Sequence, residues 1–330
     1  MADYTTIDDP SAYFQTALYT GNAGTQTITN DGNSDLQPDF LWFKERSVSG
    51  NHQLINTVSG INKKLMSNST ATEGTQTNYV TAIGSDSFSI GNNNGINQNS
   101  VTNVCWQWKK TATAGFDIVS YTGNGSNRTI SHSLSAVPNM MIVKNRDESE
   151  EWTVYHGANT AAPATDYLSL NSTAATADSN TRWNDTAPTS SVFTVGTSDV
   201  VNKNGVEYIA YLFAEKQGYS KFGNYTGNAN ADGTFVYTGF KPAWVMVKKS
   251  SATNNWVIQD TKRNPVNQMT EFLMANVKDA ESTGLNFDFL SNGFKLRSNS
   301  GGSNSAATYI YMAFASNPFV TSTGIPVTAR

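Results

Sequence analysis

Apolar residues recur along this chain with a period of two. Trp106 and Trp108 alternate with Cys105 and Gln107, and residues 25–29 (TQTIT) and 235–238 (FVYT) are β-branched or aromatic runs ended by Asn30 and Gly239. That is the chemistry of short strands closed by turns. Helical periodicity is weak; residues 264–277 and 10–19 are the places where a turn or two of helix is expected. The pattern predicts an all-β protein of small antiparallel sandwiches or jelly rolls, lectin-like in build.

The pattern repeats three times. Tyr-Thr-Gly-Asn occurs at Tyr19, Tyr121 and Tyr225. Each copy is followed by a proline-led apolar strand ending in lysine: PDFLWFK to Lys44, PNMMIVK to Lys144 and PAWVMVK to Lys248. His52, Trp152 and Trp256 then occupy one matched place, and Leu65–Asn68, Leu168–Asn171 and Leu273–Asn276 another. Phe88, Phe193 and Phe294 follow, and aromatic-rich strands ending near Trp108, Phe213 and Phe314 close the units. Such ordered matches define tandem repeats. The units span 14–110, 115–215 and 219–316, joined by the polar, Gly-bearing stretches 109–115 and 215–223, with an arm at 1–13 and a tail at 317–330. About 100 residues suffice for an independent core, so three separate, closely packed sandwiches are expected; closure around a pseudo-threefold axis with one shared core is the alternative.

Local chemistry explains the matched positions. Tyr19, Tyr121 and Tyr225 end a strand, and the Gly and Asn beyond them are expected to turn the chain at positive φ. Lys44, Lys144 and Lys248 are expected to snorkel and cap the sheet edge, with a grip on an acidic partner as the functional alternative.

Charge narrows the function. Asn, Ser and Thr supply a third of the chain, charged residues 15%, and the net charge is −4. Without basic blocks a nucleic-acid partner is not expected, and without a run of about 18 apolar residues neither is membrane insertion. The first ten residues lack the features of a signal peptide. Lone Cys105 is expected as a buried, inert thiol. His52, His132 and His156 form no metal or triad pattern, and the acidic cluster Asp147, Glu148, Glu150 and Glu151 reads as a solvated turn. The 31–35 loop (DGNSD) lacks the downstream Glu of a calcium loop. No catalytic, cofactor or metal residue is nominated. Sugar binding is the chemistry the composition favours: Trp183 with Arg182, and Tyr79 and Tyr219, lie in polar stretches where aromatic faces can meet a glycan.

The opening at residues 4–14 (YTTIDDPSAYF), the Tyr-Thr-Gly-Asn words, PDFLWFK and the closing 317–324 (NPFVTSTG) resemble tail-fibre-like virion surface proteins of marine tailed bacteriophages, over nearly the whole chain. The resemblance implies a non-enzymatic structural protein made in the host cytoplasm and carried on the virion. Its partners would be other tail or capsid proteins, further copies of itself and host surface glycan. The first expectation is a tail-associated fibre or spike engaging glycan through its loops; the second is a decoration protein anchored by its terminal arms.

Overall fold

Alternating strands separated by Asn/Gly turns give antiparallel sheets throughout residues 5–327, the part of the chain that the computed structural model describes. Residues 1–4 of the expected arm and 328–330 of the tail lie outside it. In each unit the closing strand sits between the opening strand and the proline-led strand. In unit one these are Thr102–Trp108, Phe14–Thr20 and Phe40–Glu45; in unit two Glu207–Phe213, Phe116–Thr122 and Met140–Asn145. In unit three they are Thr308–Pro318, Ser220–Thr226 and Phe240–Lys249. A second layer pairs Gln26–Thr29 with Ser87–Ile90, Arg128–Ser131 with Val192–Val195, and Phe235–Tyr237 with Gly293–Leu296. In unit three both layers join one eight-stranded sheet.

Of the two stretches where helical turns are expected, one is a strand and the other keeps a single turn. Residues 264–277 instead carry the strand Met269–Met274; the Asn264 side chain takes the N–H groups of Thr270 and Glu271, drawing the backbone away from a helical ladder. Of residues 10–19, only Pro10–Ala12 turn, capped by Asp9, before the strand Phe14–Thr20 begins. The 215–223 joint is shorter than expected: Tyr219 is buried in the core and Ser220 already starts a strand.

The units do not stand as three separate modules. Each closing strand is buried on both faces. Cys105 turns toward a core private to unit one, as do Ala210 and Leu212 in unit two and Tyr311 and Ala313 in unit three. Their neighbours Trp106 and Trp108, Tyr211 and Phe213, and Met312 and Phe314 enter one cluster shared by all three. The proline-led strands divide likewise, with Trp42, Ile142 and Met246 in the shared cluster and Phe43, Val143 and Val247 in the private ones. On the axis the matched residues Trp108, Phe213 and Phe314 form a triangle with ring centroids 6.5, 6.1 and 5.7 Å apart. Ile7 of the arm also enters this core, and Asp8 accepts hydrogen bonds from Ser322 of the tail. The architecture is a pseudo-threefold assembly of sandwiches around a common core.

Candidate functional site

The four residues expected to meet a glycan are inside the protein. Trp183 is buried between Tyr155 and the carbonyl of Asp166, to which its indole N–H donates at 3.0 Å. Arg182 is buried with it, paired to Glu151 and lying over the Tyr167 ring. Tyr79 is buried beneath the Lys64 ammonium, and Tyr219 packs on Phe314 in the shared core. Each ring gains more from leaving water than an isolated polar stretch in the sequence suggests, so none offers a stacking face.

The Tyr-Thr-Gly-Asn words are structural, by a different device from the one expected. Tyr19, Tyr121 and Tyr225 donate their hydroxyls to the carbonyls of Ile96, Val201 and Ser303. The following glycines approach the carbonyls of Gln98, Lys203 and Ser305 so closely that an added Cβ would lie 2.0–2.1 Å away. Positive φ falls beyond each word, at Ala23, Gly125 and Ala229. Three buried asparagines that the sequence reading passed over complete the turns. Asn97, Asn202 and Asn304 accept the backbone N–H of Asn22, Asn124 and Asn228, and their amides donate back to those side chains.

The matched residues that remain lie on the seams between units, and they act cyclically. Trp152 donates to the carbonyl of Met66, Trp256 to that of Ser169, and His52 to that of Met274. These carbonyls belong to one repeat position, so unit two holds unit one, three holds two, and one holds three. Backbone bonds repeat the cycle: Glu73 N–H donates to Arg146, Thr176 to Ser250 and Glu281 to Arg46. Lys144 and Lys248, fully buried, donate across their seams to the carbonyls of Thr70 and Thr173 at 3.1 and 3.0 Å. Lys44 bonds the Glu45 carbonyl at 2.6 Å. Burial pushes all three ammonium groups down to about 8. They neither snorkel nor hold an acidic side chain; each binds carbonyl oxygens.

The seam between units three and one, which no linker bridges, carries a buried ion network. Arg263 pairs with Asp260 at 2.6 Å and with Glu281 at 2.7 Å. Asp260 accepts the Trp106 indole N–H, and Glu281 reaches Arg46 of unit one at 2.7 Å.

Residues considered for chemistry are otherwise engaged. Burial pushes the Cys105 thiol well up, away from the reactive thiolate. His52 Nδ1 accepts from Trp42 at 2.8 Å and His156 Nδ1 from the Ala158 N–H at 3.2 Å. In both, Nε2 therefore carries the proton and donates, to Met274 and Tyr311 respectively. Burial, reinforced at His52 by Lys44, pushes them down to about 3 and 4. The acidic cluster is more engaged than a solvated turn: Glu148 pairs with Lys203, and Glu151 with Arg182. Asp31 pairs with Lys262 across the open seam at 2.5 Å.

Three hollows open at the edges of unit three. A hollow of about 460 Å³ lies between Lys241, Asn264, Val266, Asn267 and Phe289. A second of about 250 Å³ shares its Thr261, Ser316 and Asn317 wall and runs toward Gln15 and Asp31 of unit one. A third, of about 340 Å³, opens beside Tyr237 at the joint with unit two. Among the described residues no helix is long and apolar enough to cross a membrane.

A family model described as a domain of unknown function (DUF7483) matches residues 9–318. No curated protein matches the chain. The matched span takes in all three units, so the family's domain corresponds to the whole ring and not to one repeat.

Proposed function

The chain belongs to the DUF7483 family of domains of unknown function, and from that premise we propose that it is a non-enzymatic structural protein on the surface of a tailed-bacteriophage particle. The observation that carries this reading is the cyclic set of seams. One chain closes into a pseudo-threefold body that offers three similar, non-identical faces around an axis. Such a body suits a site of threefold or sixfold symmetry on a capsid or tail. The likeness of the opening, PDFLWFK and closing segments to phage virion proteins supports the same reading. Of the two virion roles, a compact attached protein is favoured over a fibre. Ile7 is buried in the shared core and Asp8 bonds Ser322, so attachment would run through the body's faces and not through free arms, and Trp183, Arg182, Tyr79 and Tyr219 are buried.

Cryo-EM of the purified virion, with this chain located and counted, tests the proposal. The expected result is a fixed copy number at capsid or tail positions of three- or sixfold symmetry. Absence from the purified particle would discard it.

A further inference from the structure

The repeat supplies its own control for reading the surface. The outer strands pair in common across Phe88, Phe193 and Phe294, which aligns Ile28, Ile130 and Val236 as the inward residues. The outward residues beside them are Thr27 and Thr29 in unit one, Thr129 and Ser131 in unit two, and Phe235 and Tyr237 in unit three. Only the third unit replaces hydroxyls with aromatic rings, and it leaves Phe235 42% and Tyr237 60% exposed. Nothing in the fold requires them, because the same strand position is filled by threonine or serine in the other two units.

Tyr237 also walls the 340 Å³ hollow, facing Phe319, Gln217 and the Glu215–Lys221 pair. The hydroxyl end of Tyr237 lies beside Gly239, its oxygen 3.6 Å and its nearest ring carbons 3.8 Å from where a Cβ on that residue would sit, at van der Waals distance. Glu215 and Lys221 meet at 2.6 Å and remain about a third exposed. Their charges cancel, yet each keeps hydrogen-bonding capacity toward the hollow. A volume in the usual range for small ligands, aromatic walls and a few convergent polar groups without net charge are the marks of a site for an uncharged polyhydroxylated ligand.

We propose that this pocket binds a neutral hexose unit of a glycan. The C–H face of the sugar stacks on Tyr237, with Phe319 as the second wall. The sugar hydroxyls exchange hydrogen bonds with Glu215, Lys221 and Gln217. An acidic sugar is disfavoured because the nearest ammonium is already paired. The site stands apart from the virion reading; it can be present or absent wherever the protein resides.

Saturation-transfer NMR on the full chain, titrated with the methyl glycosides of glucose, galactose, mannose and N-acetylglucosamine and with sialic acid, tests this. At least one neutral glycoside should bind saturably. Tyr237→Ala should weaken it about tenfold while Tyr237→Phe keeps it. Thr129→Ala, at the aligned strand of unit two, should change nothing, and unchanged melting of each variant would verify that the fold is intact. No saturable binding by any of the neutral glycosides, equal binding by Tyr237→Ala, or preference for sialic acid would overturn the assignment.

Discussion

At the residue scale, the matched glycines show how a correct motif can carry the wrong cause. Tyr-Thr-Gly-Asn was legible as a turn because Gly and Asn punctuate strands, but the sequence suggested backbone freedom where the structure needs space. A Cβ on Gly123 would lie 2.1 Å from the Lys203 carbonyl, whereas Gly205, at φ +78°, has nothing within 4 Å. Gly123→Ala is therefore expected to cost about 2–3 kcal/mol through forced displacement, and Gly205→Ala only about 1 kcal/mol. Urea-unfolding midpoints of the two variants check this; equal losses would mean that conformation, not contact, selects Gly123. Asn97, Asn202 and Asn304 were illegible for another reason. In a chain so rich in asparagine, three buried ones look like the many exposed ones until the turns close on them.

At the scale of elements, the runs FLWF, MMIV and WVMV held more information than a period of two extracts. A strand covered on one face alternates; one covered on both reads as continuously apolar. The closing and proline-led strands have this second form because each separates a private core from the shared one. The ion network on the open seam had no sequence signature, since Trp106 and Asp260 meet only when the ring closes. Arg263→Met leaves Asp260 buried without its cation and is expected to cost about 3–5 kcal/mol, with much of the loss recovered in Asp260→Asn/Arg263→Met. Chemical denaturation of the single and double variants decides the matter, and a single variant as stable as wild type would remove the network from any role in closure.

For the whole molecule, the seams tie stability to pH. Neutral His52 and His156 have folded values near 3 and 4, below the ordinary 6.5. The unfolded chain thus binds more protons between those values and 6.5, and stability falls as the pH drops through that window. At pH 4.5 each histidine accounts for about 2–3 kcal/mol of the loss. Melting temperatures at pH 7 and 4.5 should differ less in His52→Gln/His156→Gln than in wild type; an unchanged difference would mean that the histidines do not govern the acid response. The buried lysines act in the same direction on the alkaline side, adding stability from about pH 8 toward 10.5 as they lose their protons. Strand chemistry, three units and the matched positions were determined by the sequence alone, because local periodicity and turn residues act within a few neighbours. Whether the units stood apart or shared a core, which aromatics were buried, and that Tyr237 walls a hollow were decided by tertiary structure. Those outcomes depend on which faces meet across the seams, and burial there overrides the polar neighbourhoods in which Trp183, Tyr79 and Tyr219 sit along the chain.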